Sequence, residues 1–186
     1  MSLVNPSPPP NLVEDAISLL RRCGVDDSGS WLLIDAMGQF LYMMVGEHAE
    51  ASWPVSTAEA GLDNRDGSGG TPPGLHRIDR LIGHGAEPGT VFESREPTGR
   101  RWNPADPPVD EDLILTRILT LVGCEEGVNR GPGVDSRERY IYLHGTNHEE
   151  SLGRPASAGC IRMGNRDIES LYDTIAGRDA WVFVRA

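Results

Sequence analysis

Apolar and polar positions first fall into a regular pattern between residues 30 and 58. Three apolar runs, SWLLIDA, QFLYMMV and EASWPVSTA, are separated by the short breaks MGQ and GEH. Runs of this length, rich in branched and aromatic side chains and cut by turn residues, predict three consecutive strands in a meander. Ahead of them, NLVEDAISLLRRCG brings Leu12, Ala16, Leu19 and Leu20 to one side of a helix. Asn11 is the expected cap, Glu14 completes a capping box, and Gly24 ends the helix. That helix is expected to pack on the main domain as an appendage.

Beyond residue 58 the pattern is interrupted. AGLDNRDGSGGTPPG is rich in glycine and has no periodicity, which predicts a long loop stiffened by Pro72 and Pro73. LHRIDRLIG and TVFESR are further short strand candidates, and EPTGRRWNPADPPVDED reads as a polar surface loop. ILTRILTLV fits either a strand or a helix, because Thr116, Arg117 and Thr120 share a helical face; its β-branched content favours a strand. RYIYLHG alternates, with Tyr140, Tyr142 and His144 on one side and Ile141 and Leu143 on the other. RDIESLYDTIAG predicts a helix capped by Asn165 and stopped by Gly177, and AWVFVR a last strand. The fold class expected is mainly β (β-rich α+β), with an N-terminal extension over 1–29 and one domain over 30–186.

Composition narrows the function classes. A chain of 186 residues has room for one domain with a proper core. Its net charge of −11 argues against nucleic acid, whose phosphates need clustered cations. No apolar run reaches the length of a membrane-spanning helix. The opening MSLVNPSPPPN lacks the basic region, apolar stretch and cleavage site of a secretory leader. Either the protein stays inside the cell, or a leader has been removed ahead of about Val4. The sequence leaves the oligomeric state open.

Cys23, Cys124 and Cys160 are odd in number and far apart, so neither a disulfide framework nor a zinc knuckle is expected. Cys23 and Cys124 read as buried structural thiols. Cys160 differs: it follows Ser157, Ala158 and Gly159, Arg162 stands two residues on, and a helix begins soon after. A thiolate is stabilised by such nearby positive charge, and a small-residue turn can aim N–H groups at an oxyanion. By these features its pKa is expected below the ~8.5 of a free thiol. His144 ends a strand, a rigid mount for a general base, and the Gly145 carbonyl can fix its tautomer. Two other readings remain on the residues alone: structural Cys and His, and a zinc site of His144, His148 and Cys160.

HGTN, followed after a loop by SAGCIRMGNRDI, resembles the signature of the L,D-transpeptidase catalytic domain (YkuD-like) family. PVSTAEAG, GTPPGLHRI and PGTVFESR resemble family segments in the same order, so the likeness covers about residues 30 to 186. It implies a mixed β-sheet or sandwich domain that attacks peptidoglycan stem peptides between a diamino acid and the following D-alanine. By motif position Cys160 is the nucleophile, His144 its base, and Gly145 the carbonyl that orients the imidazole. Gly159 and Cys160 would supply oxyanion N–H groups. Ser157 is the small polar residue of the motif, and Arg162 holds substrate charge or fixes the loop, or else pairs with an aspartate. Tyr142 is a wall of the cleft or a packed core tyrosine. The resemblance implies no cofactor and no metal, and a place in the cell envelope. Many family members have histidine where this chain has Ala158. An amine acceptor would give 3→3 cross-links or protein anchoring, and water would give carboxypeptidase or endopeptidase action. The rival from another class is a non-catalytic wall-binding module.

Overall fold

The computed structural model describes residues 6–107 and 109–185. The leader reading rests in part on residues 1–5, which lie outside this range, as do Pro108 of the predicted surface loop and Ala186. In chain order the elements are α1 (Pro10–Arg22), β1 (Ser30–Asp35), β2 (Phe40–Val45), β3 (His48–Ser56), β4 (Gly74–Ile82), β5 (Thr90–Glu93) and β6 (Glu96–Arg101). They continue with β7 (Ile114–Gly123), β8 (Tyr142–Gly145), a 3₁₀ turn (Glu149–Ser151), β9 (Ile161–Met163), α2 (Asn165–Ile175) and β10 (Trp181–Arg185).

The strands form one ten-stranded mixed sheet in the order β4-β10-β1-β2-β3-β9-β8-β7-β5-β6, and β7 pairs back with β4. The sheet therefore closes on itself, with β5 and β6 attached outside the ring. The expected meander is present as β1, β2 and β3, antiparallel throughout. Two pairings are parallel, β1 with β10 and β8 with β9. Inward side chains from the ring, including Leu32, Ile34, Leu119, Leu143 and Met163, enclose Ile168, Leu171 and Tyr172 of α2 in one buried core. Side chains of β1 and β2 facing the other way, Trp31, Leu33, Tyr42 and Met44, pack with Leu12, Ala16 and Leu20 of α1. Alternation along the strands thus supplies two apolar layers at once.

Several local expectations are corrected. Asn11 does not cap α1: Pro9 precedes the helix, Pro10 occupies its first turn, and no side chain caps it. Proline suits that position because its missing N–H would have no partner there and its φ is already helical. At the other end Gly24, with φ +71, closes a Schellman turn in which Val25 N–H donates to Leu20 O at 2.9 Å. Asn165 is not the cap of α2 either; Gly164 precedes the helix and the Asn165 side chain works elsewhere. The loop expected at 96–101 is strand β6, paired with β5 through a two-residue turn of Ser94 (φ +49) and Arg95 (φ +70). Such a turn normally has Asn-Gly, so this one gave no sequence signal. Pro97 is tolerated because β6 is an edge strand.

Candidate active site

Strands β8 and β9 run parallel, with His144 beside Arg162 and Leu143 beside Ile161. Extending that register by two residues sets Cys160 beside Tyr142. With a two-residue side-chain period, Tyr142, His144, Cys160 and Arg162 all face one side of the sheet. Ile141, Leu143 and Ile161 face the core. The fifteen residues between His144 and Cys160 are thus folded back so that candidate base and candidate nucleophile are diagonal neighbours on adjacent strands.

The turn that presents Cys160 is tightly fixed. Gly159 has φ +137, a conformation side chains disfavour, and a Cβ there would stand 3.3 Å from Ile141 Cδ1. Ser157 Oγ donates to Cys160 O at 2.5 Å, and Gly159 N–H donates back to Ser157 Oγ at 3.3 Å. Thr71 Oγ1 donates to Gly159 O at 2.9 Å, which ties the turn to the glycine-rich loop. Arg139 holds the same loop through Asp63 O and Gly70 O. Ser157 is therefore built into the turn, its hydroxyl engaged by backbone. Of the two expected oxyanion donors, Gly159 N–H is directed at Ser157, while among the described residues no hydrogen bond takes Cys160 N–H.

His144 is 1% exposed, and its Nδ1 lies 2.8 Å from Gly145 O. A carbonyl only accepts, so Nδ1 bears the proton and Nε2 keeps its lone pair. Burial holds the imidazole below its ordinary pKa, with the Gly145 carbonyl and Asp112 acting in the opposite direction. Gly145 is required by space: a Cβ would meet Asn165 Oδ1 at 2.5 Å and Leu115 O at 2.8 Å. That Asn165 side chain also donates to Thr146 O at 2.8 Å and Glu149 Oε1 at 2.8 Å, so it anchors the HGT segment to α2.

Arg162 is committed to a salt bridge. Its Nε and Nη2 donate to Asp112 Oδ2 at 3.1 and 2.7 Å, and its side chain is 8% exposed. The pairing alternative of the sequence readings is the one present in the free protein. Asn147, the last residue of HGTN, braces the segment around Asp112. It accepts from Leu113 N–H at 2.9 Å and donates to Glu111 O at 2.9 Å.

The expectation of a depressed Cys160 pKa is also corrected. The side chain is partly exposed at the cleft, yet desolvation by the protein atoms crowded around it pushes the thiol up to about 11. A backbone hydrogen bond at Tyr142 opposes this, the Asp112 charge raises the thiol further by more than Arg162 lowers it, and Arg139 lowers it as well. The thiol donates to Tyr140 O at 3.4 Å. Cys124, read as buried, is half-buried and likewise raised to about 11, whereas Cys23, also read as buried, is exposed because it caps the C-terminus of α1 at the surface. His148 is turned toward Glu150 and Asn147. Among the described residues it does not converge with His144 and Cys160 as a ligand set.

Cys160 opens on a cleft of about 540 Å³ lined by Ser94, Arg95, Ile114, Tyr140 and Tyr142. Tyr142, 5% exposed, walls it. Arg95, which sequence reading passed over, donates from Nε to Tyr142 Oη at 2.7 Å and lies 4.8 Å above the Tyr140 ring. Asp112 and the bracing roles of Asn147 and Asn165 were also missed; both asparagines lie in the quoted motifs HGTN and SAGCIRMGNRDI, and Asp112 carried no signal.

The family model of the L,D-transpeptidase catalytic domain matches residues 29–184. The chain belongs to that family. Solved structures show the same fold at low identity. An L,D-transpeptidase from Xylanimonas cellulosilytica (its residues 123–326) superposes with a TM-score of 0.54 at 16% identity, covering 86% of this chain and 62% of that one. Bd1075 of Bdellovibrio bacteriovorus gives 0.52 at 17%, over 85% and 48%. L,D-transpeptidase 3 of Mycobacterium tuberculosis gives 0.50 at 14%, over 85% and 61%. YqjB of Bacillus subtilis is 52% identical over 44 residues, 23% of each chain. This L,D-transpeptidase domain thus spans under two thirds of the length of these relatives. The mainly β, mixed-sheet class expected from the motifs is the class observed.

Proposed function

We propose that this protein is a cysteine-dependent peptidoglycan L,D-transpeptidase acting in the cell envelope. The observation that carries the reading is the juxtaposition across β8 and β9: an imidazole with its Nδ1 proton on Gly145 O, and a thiol diagonal to it that opens on a cleft. Cys160 Sγ attacks the carbonyl between the diamino acid and D-alanine of a stem tetrapeptide. His144 Nε2 takes the thiol proton, then gives it to the departing amine, so D-alanine leaves and a thioester remains. Cys160 N–H, with no partner among the described residues, supports the oxyanion. An amine of a second stem peptide attacks the thioester to give a 3→3 cross-link. With water as acceptor the same intermediate gives carboxypeptidase or endopeptidase action.

Burial favours the neutral form of both groups, so in this reading the proton moves as the S–C bond forms. Tyr142 walls the acyl-donor side, and Ser157 and Gly159 act by shaping the nucleophile turn. Residues 30–186 form the catalytic unit in this reading, and residues 1–29 an extension whose helix seals the outer apolar layer. No helix among the described residues is long and apolar enough to cross a membrane.

Mass spectrometry of the protein with a disaccharide-tetrapeptide tests the reading directly. D-Alanine loss and a cross-linked dimer are expected, with a tripeptide if water competes. Cys160→Ala and His144→Ala should each lose roughly 10²–10⁴-fold or more without unfolding, and the double variant little beyond the worse single one. A carbapenem should give one adduct, absent in Cys160→Ala. An unreactive wild type would leave the non-catalytic wall-binding module as the better reading.

A further inference from the structure

Arg95 stands in an unusual position. The chain carries a net charge of −11, and many of its arginines are paired with acids. Among the described residues no carboxylate pairs with Arg95, and neither of its Nη groups makes a hydrogen bond. The side chain is nevertheless fixed. Nε donates to Tyr142 Oη at 2.7 Å, and the guanidinium lies 4.8 Å from the Tyr140 ring centre and 5.4 Å from that of Tyr142. Its backbone is at φ +70, next to Ser94 at +49, in the turn joining β5 to β6. Left-handed backbone at two successive non-glycine residues costs energy, and such strain persists where the surroundings fix it. Here it aims a cation into the cleft that holds Cys160.

We propose that Arg95 is a carboxylate-reading residue of the acyl-donor subsite, and that it recognises a free carboxylate at the far end of the donor's diamino acid side chain. A guanidinium with Nε already bound and its two Nη groups open offers a planar pair of donors to one carboxylate. Position selects which carboxylate. Tyr142 is in register with Cys160, and Arg95 meets the phenol tip of Tyr142, so the guanidinium lies about one tyrosine length from the nucleophile. The carboxylate of the departing D-alanine sits within three bonds of the scissile carbonyl and stays beside Cys160. A distal side-chain carboxylate reaches the rim. The preferred donor is therefore a diamino diacid with that group ionised; its amide and a simple diamine such as lysine are discriminated against.

The proposal rests on the transpeptidase reading, and the test separates the two. Two synthetic tetrapeptides are compared, identical except that the distal carboxylate of the diamino acid is free or amidated. D-Alanine release is measured for wild type, Arg95→Gln and Arg95→Lys, and peptide binding for Cys160→Ala with and without Arg95→Gln. Wild type should favour the free acid by roughly 10–100-fold in kcat/KM, the size of a charge-assisted pair. Arg95→Gln should bring the free-acid to amide ratio of kcat/KM close to one, whatever its absolute rate with the Tyr142 contact gone, and Arg95→Lys should restore part of the ratio. Equal wild-type rates on the two donors, or an equal fall on both in Arg95→Gln, would overturn the proposal. If neither donor releases D-alanine but Cys160→Ala binds the free acid better and Arg95→Gln abolishes that, the carboxylate site stands and the transpeptidase reading fails. Equal binding of both peptides would remove the site whatever the turnover.

Discussion

Asp112→Asn is the perturbation that bears most directly on the chemistry. Asp112 accepts both donors of Arg162, so asparagine keeps the shape and one acceptor oxygen but removes a negative charge. That charge raises the pKa of Cys160 and of His144, and Arg162 lowers both. Removing it leaves the arginine field uncompensated. Unit charges about 8 Å apart in an effective dielectric of about 20 interact by about 2 kcal/mol. Asp112 is 37% exposed, so water screens it, and about half of that is expected, or roughly 0.7 of a pKa unit. The sign is the same for both groups: the thiol titrates lower and the imidazole becomes a weaker base. The assay is the pH dependence of Cys160 alkylation by iodoacetamide, resolved from Cys23 and Cys124 by peptide mass spectrometry. Wild type should inflect near 11, the variant half a unit to one unit lower. D-Alanine release should fall, because His144 is less able to hold the proton it takes. The inflection position does not depend on accessibility, so a loosened loop cannot imitate the effect. An unmoved or raised inflection would refute the electrostatic account of this pair.

Gly145→Ala forces a Cβ to 2.5 Å from Asn165 Oδ1 and 2.8 Å from Leu115 O, and the Leu115 backbone cannot yield cheaply. A stability loss of about 1–3 kcal/mol is expected, and a displaced His144 should cost about 10²-fold in D-alanine release; a stable variant at full rate would contradict the packing argument. His76 is fully buried between Gly74 O and Ser136 Oγ, and burial pushes it down to about 4. The unfolded chain takes up this proton near pH 6.5 and the folded one resists until about 4, so stability is full above 6.5. It should fall by about 3 kcal/mol as the pH drops through that window, read by urea unfolding at pH 7.5 and 4.5. His76→Gln should flatten the dependence.

What the sequence made legible was local. Cys160, His144 and Gly145 lie in short motifs whose spacing repeats on a strand, and alternation alone put Tyr142 and His144 on one face. The meander was legible for the same reason. The partner of Arg162 was not, because Asp112 is fifty residues away in a loop with no periodicity and becomes a neighbour only through Asn147 and the HGT segment. Strand β6 was hidden by its composition: Pro97, Gly99 and charges are what an edge strand tolerates and what a loop contains. The turn that aims Arg95 was hidden because serine and arginine occupy positions where Asn-Gly would announce it. Closure of the ring through β4 and β7 joins strands about forty residues apart, and no pattern within either strand encodes that pairing.

The Cys160 thiol near 11 and a His144 imidazole below its ordinary pKa change how activation must be understood. A preformed thiolate–imidazolium pair would need the cationic form of His144 to be favoured, and burial favours the neutral form. Both directions favour the neutral thiol and the neutral imidazole, so little thiolate is expected at pH 7. In the proposed mechanism the proton therefore passes to Nε2 as attack proceeds, and the Asp112 carboxylate would stabilise the imidazolium that forms. Asp112 then opposes the thiolate in the ground state and supports the cation in the transition state. The two effects of one carboxylate are separable, because alkylation reads the first and D-alanine release reads the second.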